Sequence, residues 1–458
     1  MTYLSQNPAT GEVSRRHPQW TDAELDRALS RTSAALPQWQ ATSIEERAAC
    51  LARAAAVLRE NLVTYAQLIT GETGKPIHES RAEVEKSAMG CEFYTANAGR
   101  LLADEPVESD ARRSLVAYQP LGTVLAIMPW NSPFWQVFRF AAAALAAGNC
   151  ALLKHAPNVP GCAEAIDALL LRAGLPEGVF QWLPISHEQT ERLIATPHIQ
   201  AVTLTGSERA GRRIAGLAGA ALKKTVLELG GSDPFVVLDD ADLDAAADTA
   251  VTARFQNSGQ SCIAAKRFIL EESIADPFLA RFRQKVEALK VGDPAREETR
   301  IGPLARADLR DNLDRQVAES IKLGAMPVLG CRPLDGPGYF YAPSILDQVR
   351  PGMPAHDEEL FGPVASILRV RDEAEALTAA NRHRCGLGGS VWTRDIGRGE
   401  RFARRLECGA AFVNGLVKSD PRLPFGGVKD SGYGRELGAV GLREFTNIKT
   451  LWLGLGAV

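Results

Sequence analysis

From residue 121 onward, short apolar runs alternate with stretches of helical periodicity, and this alternation most constrains the fold. Residues 121–128, 151–154, 201–205 and 235–238 are apolar runs of strand length, with helical stretches between them at 134–147, 161–173 and 209–217. Strand–helix alternation is the signature of parallel strands joined by crossover helices, so the pattern predicts an α/β fold with a doubly wound parallel sheet. A second set at 267–270, 365–370, 390–393 and 411–413 predicts a second α/β region, with residues 335–338 as a Gly/Pro-rich loop.

The first hundred residues read as helical. Thr21-Asp22-Ala23-Glu24 and Ser43-Ile44-Glu45-Glu46 are capping-box starts, and apolar residues recur at helical spacing from Ala48 to Leu68. Gly71-Glu72-Thr73-Gly74-Lys75-Pro76 has some likeness to a phosphate loop. It lacks the four-residue gap and the Ser/Thr after lysine, and so reads as a helix junction. A chain of 458 residues exceeds one hydrophobic core, which implies two or three domains.

Net charge is −3, with no basic stripe or acidic tail, which argues against nucleic-acid or membrane-surface partners. The N-terminus lacks the basic start and apolar run of a signal peptide. Apolar stretches such as 140–147 fall far short of the ~20 residues of a membrane helix. The expected location is the cytoplasm. There, the 8 cysteines, none in a C-x-x-C pair, should mostly be reduced thiols. The 7 histidines form no cluster with metal-ligand spacing, so no metal is expected.

Three short motifs carry chemistry. In Asn257-Ser258-Gly259-Gln260-Ser261-Cys262, a cysteine follows a Gly-containing turn and can be presented at a loop or helix start, where amide dipoles favour the thiolate. In Val226-Leu227-Glu228-Leu229-Gly230-Gly231, an acid ends an apolar strand, where burial would raise its pKa into the range of a general base. In Pro129-Trp130-Asn131-Ser132-Pro133, an amide stands where it could donate to an oxyanion. Each has a commoner reading on its own: an inert core thiol, a locally bonded strand-end acid, a turn or cap asparagine.

Together the motifs are more specific. The runs IMPWNSPFWQ, LLKHAPN, TLTGSERAG, LELGGSDPFVVL, NSGQSC, EELFGPV and PFGGVKDSGYGRE occur in this order over nearly the whole chain, which thereby resembles the aldehyde dehydrogenase superfamily. The resemblance implies that Cys262 attacks an aldehyde, that Asn131 and the Cys262 N–H hold the oxyanion, and that Glu228 activates water to hydrolyse the thioester. Relatives that pass the acyl group to coenzyme A usually lack this glutamate. The resemblance also implies a Rossmann-like cofactor domain for NAD or NADP, touched by Trp130, Lys154, Ala156, Pro157, Gly206, Ser207, Glu359 and Phe361. Gly206-Ser207 precedes a helix whose free N–H groups could face a pyrophosphate. NAD-strict relatives often carry a glutamate where this chain has Pro157, so dual cofactor use is expected.

Whole-chain similarity is greatest to the shorter bacterial succinate-semialdehyde dehydrogenases. Trp135 and Arg139 are i,i+4 neighbours, an aromatic wall with a guanidinium beyond it, suited to a substrate with a distal carboxylate. Arg139 and Ser419 match that group's substrate-binding arginine and serine, and Ser261 adjoins the nucleophile. A second arginine found in many such enzymes is Gln256 here, which keeps other semialdehydes, aminoaldehydes and aliphatic aldehydes open. A catalytically silent structural member is the remaining alternative. Ala264 stands where some relatives carry a second cysteine, so no regulatory disulfide is expected. The implied architecture is a cofactor domain (1–104 and 120–229), a catalytic domain (230–434) and an oligomerisation element (105–119 and 435–458) that makes a homodimer or homotetramer. Alternation along Ser114 to Gln119 fits an arm that pairs with another subunit.

Overall fold

The computed structural model describes residues 3–454; the last four residues assigned to the oligomerisation element lie outside them. Two large sheets hold the site between them. The first runs Gly432–Tyr433, Lys224–Glu228, Ala201–Thr205, Thr123–Met128, Cys150–His155, Phe180–Trp182. Every pair is parallel except the first. From Thr123–Met128 the chain winds outward to one side through Phe180–Trp182. It then returns to the other side of the same strand with Ala201–Thr205. This reversal opens a crevice at the carboxyl ends of those two strands, the usual ligand site of an open α/β sheet.

The second sheet runs Met326–Leu329, Ser344–Asp347, Val364–Val370, Ala265–Glu271, Asp233–Val237, Gly388–Trp392, Ala410–Val413. Only its first pair is antiparallel. The strands Asp233–Val237, Ala265–Glu271 and Gly388–Trp392 are buried along their whole length, as expected of parallel strands covered on both faces. A third, antiparallel sheet joins Thr446–Leu453, Arg113–Pro120 and Glu105–Val107. Leu115 and Ala117 are buried within the chain, while Ile448, Trp452 and Leu453 are exposed.

Both capping boxes form, at the starts of helices Asp22–Ala41 and Ile44–Glu60. The segment at 71–76 is a junction: Gly74 ends the helix Leu62–Thr73, and Ile77–Leu101 begins after Pro76. The beginning of the chain departs from the helical expectation. Tyr3–Gln6 and Val13–His17 form an antiparallel hairpin. The second of these strands is exposed at all but its last residue, so no apolar alternation marks it.

Gly432 couples the end of the chain to the strand carrying Glu228. It pairs with Glu228, has φ of +107°, and a Cβ there would lie 2.0 Å from the Leu227 carbonyl oxygen. Gly432→Ala is expected to lower stability by about 2 kcal/mol or more, read as a lower urea midpoint.

Candidate active site

The segments leaving the two strands at the reversal, residues 129–131 and 206–207, wall a cavity of about 370 Å³. Cys262, Glu359 and Phe361 face it from the other side, so it unites Trp130, Asn131, Gly206, Ser207, Cys262, Glu359 and Phe361. A second cavity of about 400 Å³ shares Ser207 and contains Lys154, Arg209 and Arg213. Ser207 caps the helix Glu208–Ala220 through Ala210 N–H, so this helix start lies where the two cavities meet. Ala156 and Pro157 follow the strand that ends at His155 but line neither cavity; the Pro157 carbonyl accepts from Leu4 N–H at 3.0 Å.

Cys262 is presented by a strained turn. Asn257 (φ 53°), Ser258 (φ 52°) and Gly259 (φ 75°) are consecutive left-handed residues, and a Cβ on Gly259 would lie 2.2 Å from the Gly362 carbonyl oxygen. The two non-glycine residues cost on the order of 1–3 kcal/mol each. Bonds on every side hold them. The Asn257 amide donates to Asn131 O (2.8 Å) and Gln260 O (3.0 Å), and Ser258 Oγ bonds both Gly302 N and O. Fully buried Arg254 donates to Gly259 O (2.5 Å) and Ala265 O (3.1 Å).

The turn leads into a strand, Ala265–Glu271, rather than into a helix. Burial pushes the Cys262 thiol up to about 11, against the pull of Lys266 and Arg139. Lys266 Nζ donates to the Ser261 and Cys262 carbonyls at 2.7 Å and pairs with Glu359 at 3.2 Å.

Asn131 is oriented by its neighbours. Its Oδ1 accepts from Gln136 Nε2 (3.0 Å), and its Nδ2 donates to Gln260 O (3.1 Å), which leaves one Nδ2 hydrogen for another acceptor. The sequence motifs do not single out Gln136. Its signal is that Gln136 and Arg139 are the only polar residues in the wholly buried helix Trp135–Ala146.

Glu228 ends its strand between Thr205 and Gly432 and is 2% exposed. Neither carboxylate oxygen has a hydrogen-bond partner among the described residues. Burial pushes this acid well above the usual carboxylate range; Arg139 opposes the shift and Glu436 reinforces it. Its Oε1 packs against Gly426, outside the wall of the Cys262 cavity. Arg139 is not an open guanidinium on a helix face. It forms a buried ion pair with Glu436, donates to Thr205 Oγ1 (3.2 Å) and lies 4.7 Å from the centre of the Phe425 ring.

Trp135 and Ser261 line a third chamber of about 140 Å³, together with Lys86, Glu83 and Gln256. Ser419 touches its rim: its Oγ accepts from Trp135 Nε1 (3.0 Å) and Lys86 Nζ (2.8 Å). The Glu83 carboxylate accepts from Phe134 N–H (2.8 Å) and Trp135 N–H (3.2 Å), and so caps the helix that carries Trp135. Lys86 and Glu83 lie within the long helix Ile77–Leu101, where charged residues read in sequence as a solvated face. No group of three or more His, Cys, Asp or Glu among the described residues is arranged to hold a metal, and no described helix is long and apolar enough to cross a membrane.

An amide with a spare N–H and a cysteine on a rigid turn line one cavity, and a buried strand-end acid lies just outside its wall. The aldehyde dehydrogenase family model matches residues 2–451, and the chain belongs to that family. It is 49% identical over 450 residues to the succinate semialdehyde dehydrogenase Sad, NAD(P)+, of Escherichia coli (strain K12), covering 98% of this chain and 97% of that one. It is 47% identical over 458 residues to the NADP(+) succinate-semialdehyde dehydrogenase of Mycobacterium avium (strain 104), covering 99% and 97%. The crystal structure of succinic semialdehyde dehydrogenase from Streptococcus pyogenes in complex with NADP+ superposes with a TM-score of 0.97 at 36% identity, over 99% of this chain and 100% of that one.

A thiol held near pH 11 is a slow nucleophile in the resting protein. Iodoacetamide labelling of Cys262, followed by peptide mass, is expected to rise about tenfold per pH unit from neutrality upward. A plateau below pH 8 would contradict it.

Proposed function

We propose that the protein oxidises succinate semialdehyde to succinate with NAD or NADP, through a thiohemiacetal and a thioester on Cys262. One arrangement carries this reading: Cys262 and Asn131 line the same cavity, which shares Ser207 with the Lys154 cavity, while Ser261, next to Cys262, lines the Trp135 chamber. Cys262 Sγ bonds the aldehyde carbon as the thiol proton passes to a water molecule. Asn131 Nδ2 and the Cys262 N–H receive the oxyanion. Oxidation of that carbon leaves a thioester on Sγ. Glu228 takes a proton from water, which adds to the thioester carbon and expels the sulfur. Trp135, Ser261 and Ser419 form the substrate end; Arg139, paired with Glu436 behind Phe425, supports that end from outside it.

The nicotinamide cofactor, when bound, supplies the hydride acceptor. The residues fit it. The helix start at Ser207 suits a pyrophosphate, Glu359 lines one of the two cavities that share Ser207 and Lys154 lines the other, and Trp130 and Phe361 meet edge to face at 5.8 Å beside Cys262. Lys154 forms no ion pair among the described residues, and burial pushes it down to about 8. An unanswered cation with Pro157 in place of an acid supports use of NADP alongside NAD.

A second reading is an aldehyde dehydrogenase for neutral aldehydes. It is favoured by Gln256 and by the engagement of Arg139 with Glu436. The three sheets support the division into a cofactor part (1–104 and 120–229), a catalytic part (230–434) and an oligomerisation element (105–119 and 435–458). Gly432–Tyr433 crosses that division by pairing with the first sheet, and Phe425 crosses it by bridging to Glu436. The exposed apolar residues on Thr446–Leu453 support pairing with another copy in a dimer or tetramer, and the protein is read as cytoplasmic.

Glu228→Gln removes the base but not the thiol. We expect kcat to fall by about 10²–10⁴-fold, with the acyl group trapped on Cys262 and visible by intact mass. In the unmodified enzyme the acid limb of kcat against pH should lie above the ordinary carboxylate range, because the water-activating step needs the ionised form of an acid whose pKa is raised. Loss of activity without acyl-enzyme would contradict the assignment.

A further inference from the structure

The chamber beside Ser261 contains an ammonium group that none of these steps uses. Lys86, half-buried on the helix Ile77–Leu101, points its Nζ at Ser419 Oγ (2.8 Å) and lies 4.6 Å from the centre of the Trp135 ring. Lys75, lining the same chamber, is paired with Glu83. Lys86 forms no ion pair among the described residues. Ser419 Oγ accepts from both Lys86 and Trp135 Nε1, so both its lone pairs are used. Its own hydrogen is left to donate, and no acceptor for it is present among the described residues. A cation and an oriented hydroxyl hydrogen, both unanswered, converge beside the nucleophile's neighbour.

We propose that Lys86, acting with the Ser419 hydroxyl, binds the distal carboxylate of the aldehyde and sets the preference for an anionic substrate. This rests on the reading of the site as one for an acidic aldehyde. The other candidates for that charge are accounted for: position 256 is the uncharged Gln256, which lines the same chamber, and the Arg139 guanidinium is engaged by Glu436. A carboxylate between Lys86 and Ser419 would take one charge-assisted bond from the ammonium and one bond from the hydroxyl, while Trp135 walls the carbon chain.

The surroundings agree. Burial pushes Lys86 down to about 8; the charges of Arg139 and Lys75 act in the same direction, and those of Glu83 and Asp420 oppose them. The anionic substrate should therefore bind more weakly as pH rises through about 8 and Lys86 loses its proton.

The test compares succinate semialdehyde with butanal, which has the same chain length and no carboxylate. The variants are Lys86→Met and Lys86→Arg, with Lys86→Gln as a second truncation should the methionine variant not fold; NADPH fluorescence titration reports folding. The ratio of kcat/KM for succinate semialdehyde to that for butanal is expected to fall ~30-fold or more in the truncation, chiefly through KM. Lys86→Arg should recover most of it. The rise in KM for succinate semialdehyde above about pH 8 should disappear in the truncation and be absent with butanal. A wild-type preference for succinate semialdehyde that the truncation leaves in place overturns the role of Lys86. A wild-type enzyme with no such preference overturns the underlying substrate reading and the proposal with it.

Discussion

The guanidinium of Arg254 donates to Gly259 O and Ala265 O, so its two bonds bracket the residues that present Cys262. The placement of Cys262 depends on that clamp, together with the bonds of Asn257 and Ser258. Three left-handed residues in succession would relax to a lower-energy path if the loop were free. Arg254 prevents this from inside the core, where water cannot compete for the carbonyls. Burial pushes the arginine itself down to about 9, with Glu359 and Asp233 opposing, so the clamp also depends on nearby negative charge.

The same logic extends outward. The Asn131 amide is useful only because Gln136 and Gln260 fix which of its atoms faces where. Gln260 is held in turn by Ala305 N–H at 3.0 Å, and the Asn257 N–H is received by Glu79 at 2.6 Å. Groups from both sides of the crevice therefore meet in one hydrogen-bond network. The parallel sheets supply the coarse placement, since successive strands end at the same edge. The network supplies the final positioning, which strand geometry alone leaves loose.

Strand–helix alternation made the two large sheets legible, because parallel strands buried on both faces are continuous apolar runs. Thr123–Met128, with five apolar residues after its threonine, is of this kind. Short edge strands such as Met326–Leu329, which carries Pro327, have no such mark. Nor does the hairpin at residues 3–17. Cys262, Asn131 and Glu228 could be picked out because they lie in distinctive runs. Gln136, Lys86, Glu83 and Arg254 could not: each is an ordinary polar residue on a helix, and its role exists only once another element packs against it. Arg139 shows the opposite case. Its position suggested an open cation, but its partner Glu436 is remote in sequence, so their pairing is visible only in the fold.

The burial of Cys262 also bears on its reaction with oxidants. Sulfur is oxidised by peroxide mainly as the thiolate, and burial favours the protonated form of this sulfur. The thiol is therefore held in its chemically quiet form. With Ala264 two residues on, no adjacent thiol stands ready to convert a sulfenic acid into a protective disulfide. Burial thus withholds reactivity from this sulfur, and the residues beside it in the chain offer no thiol for repair.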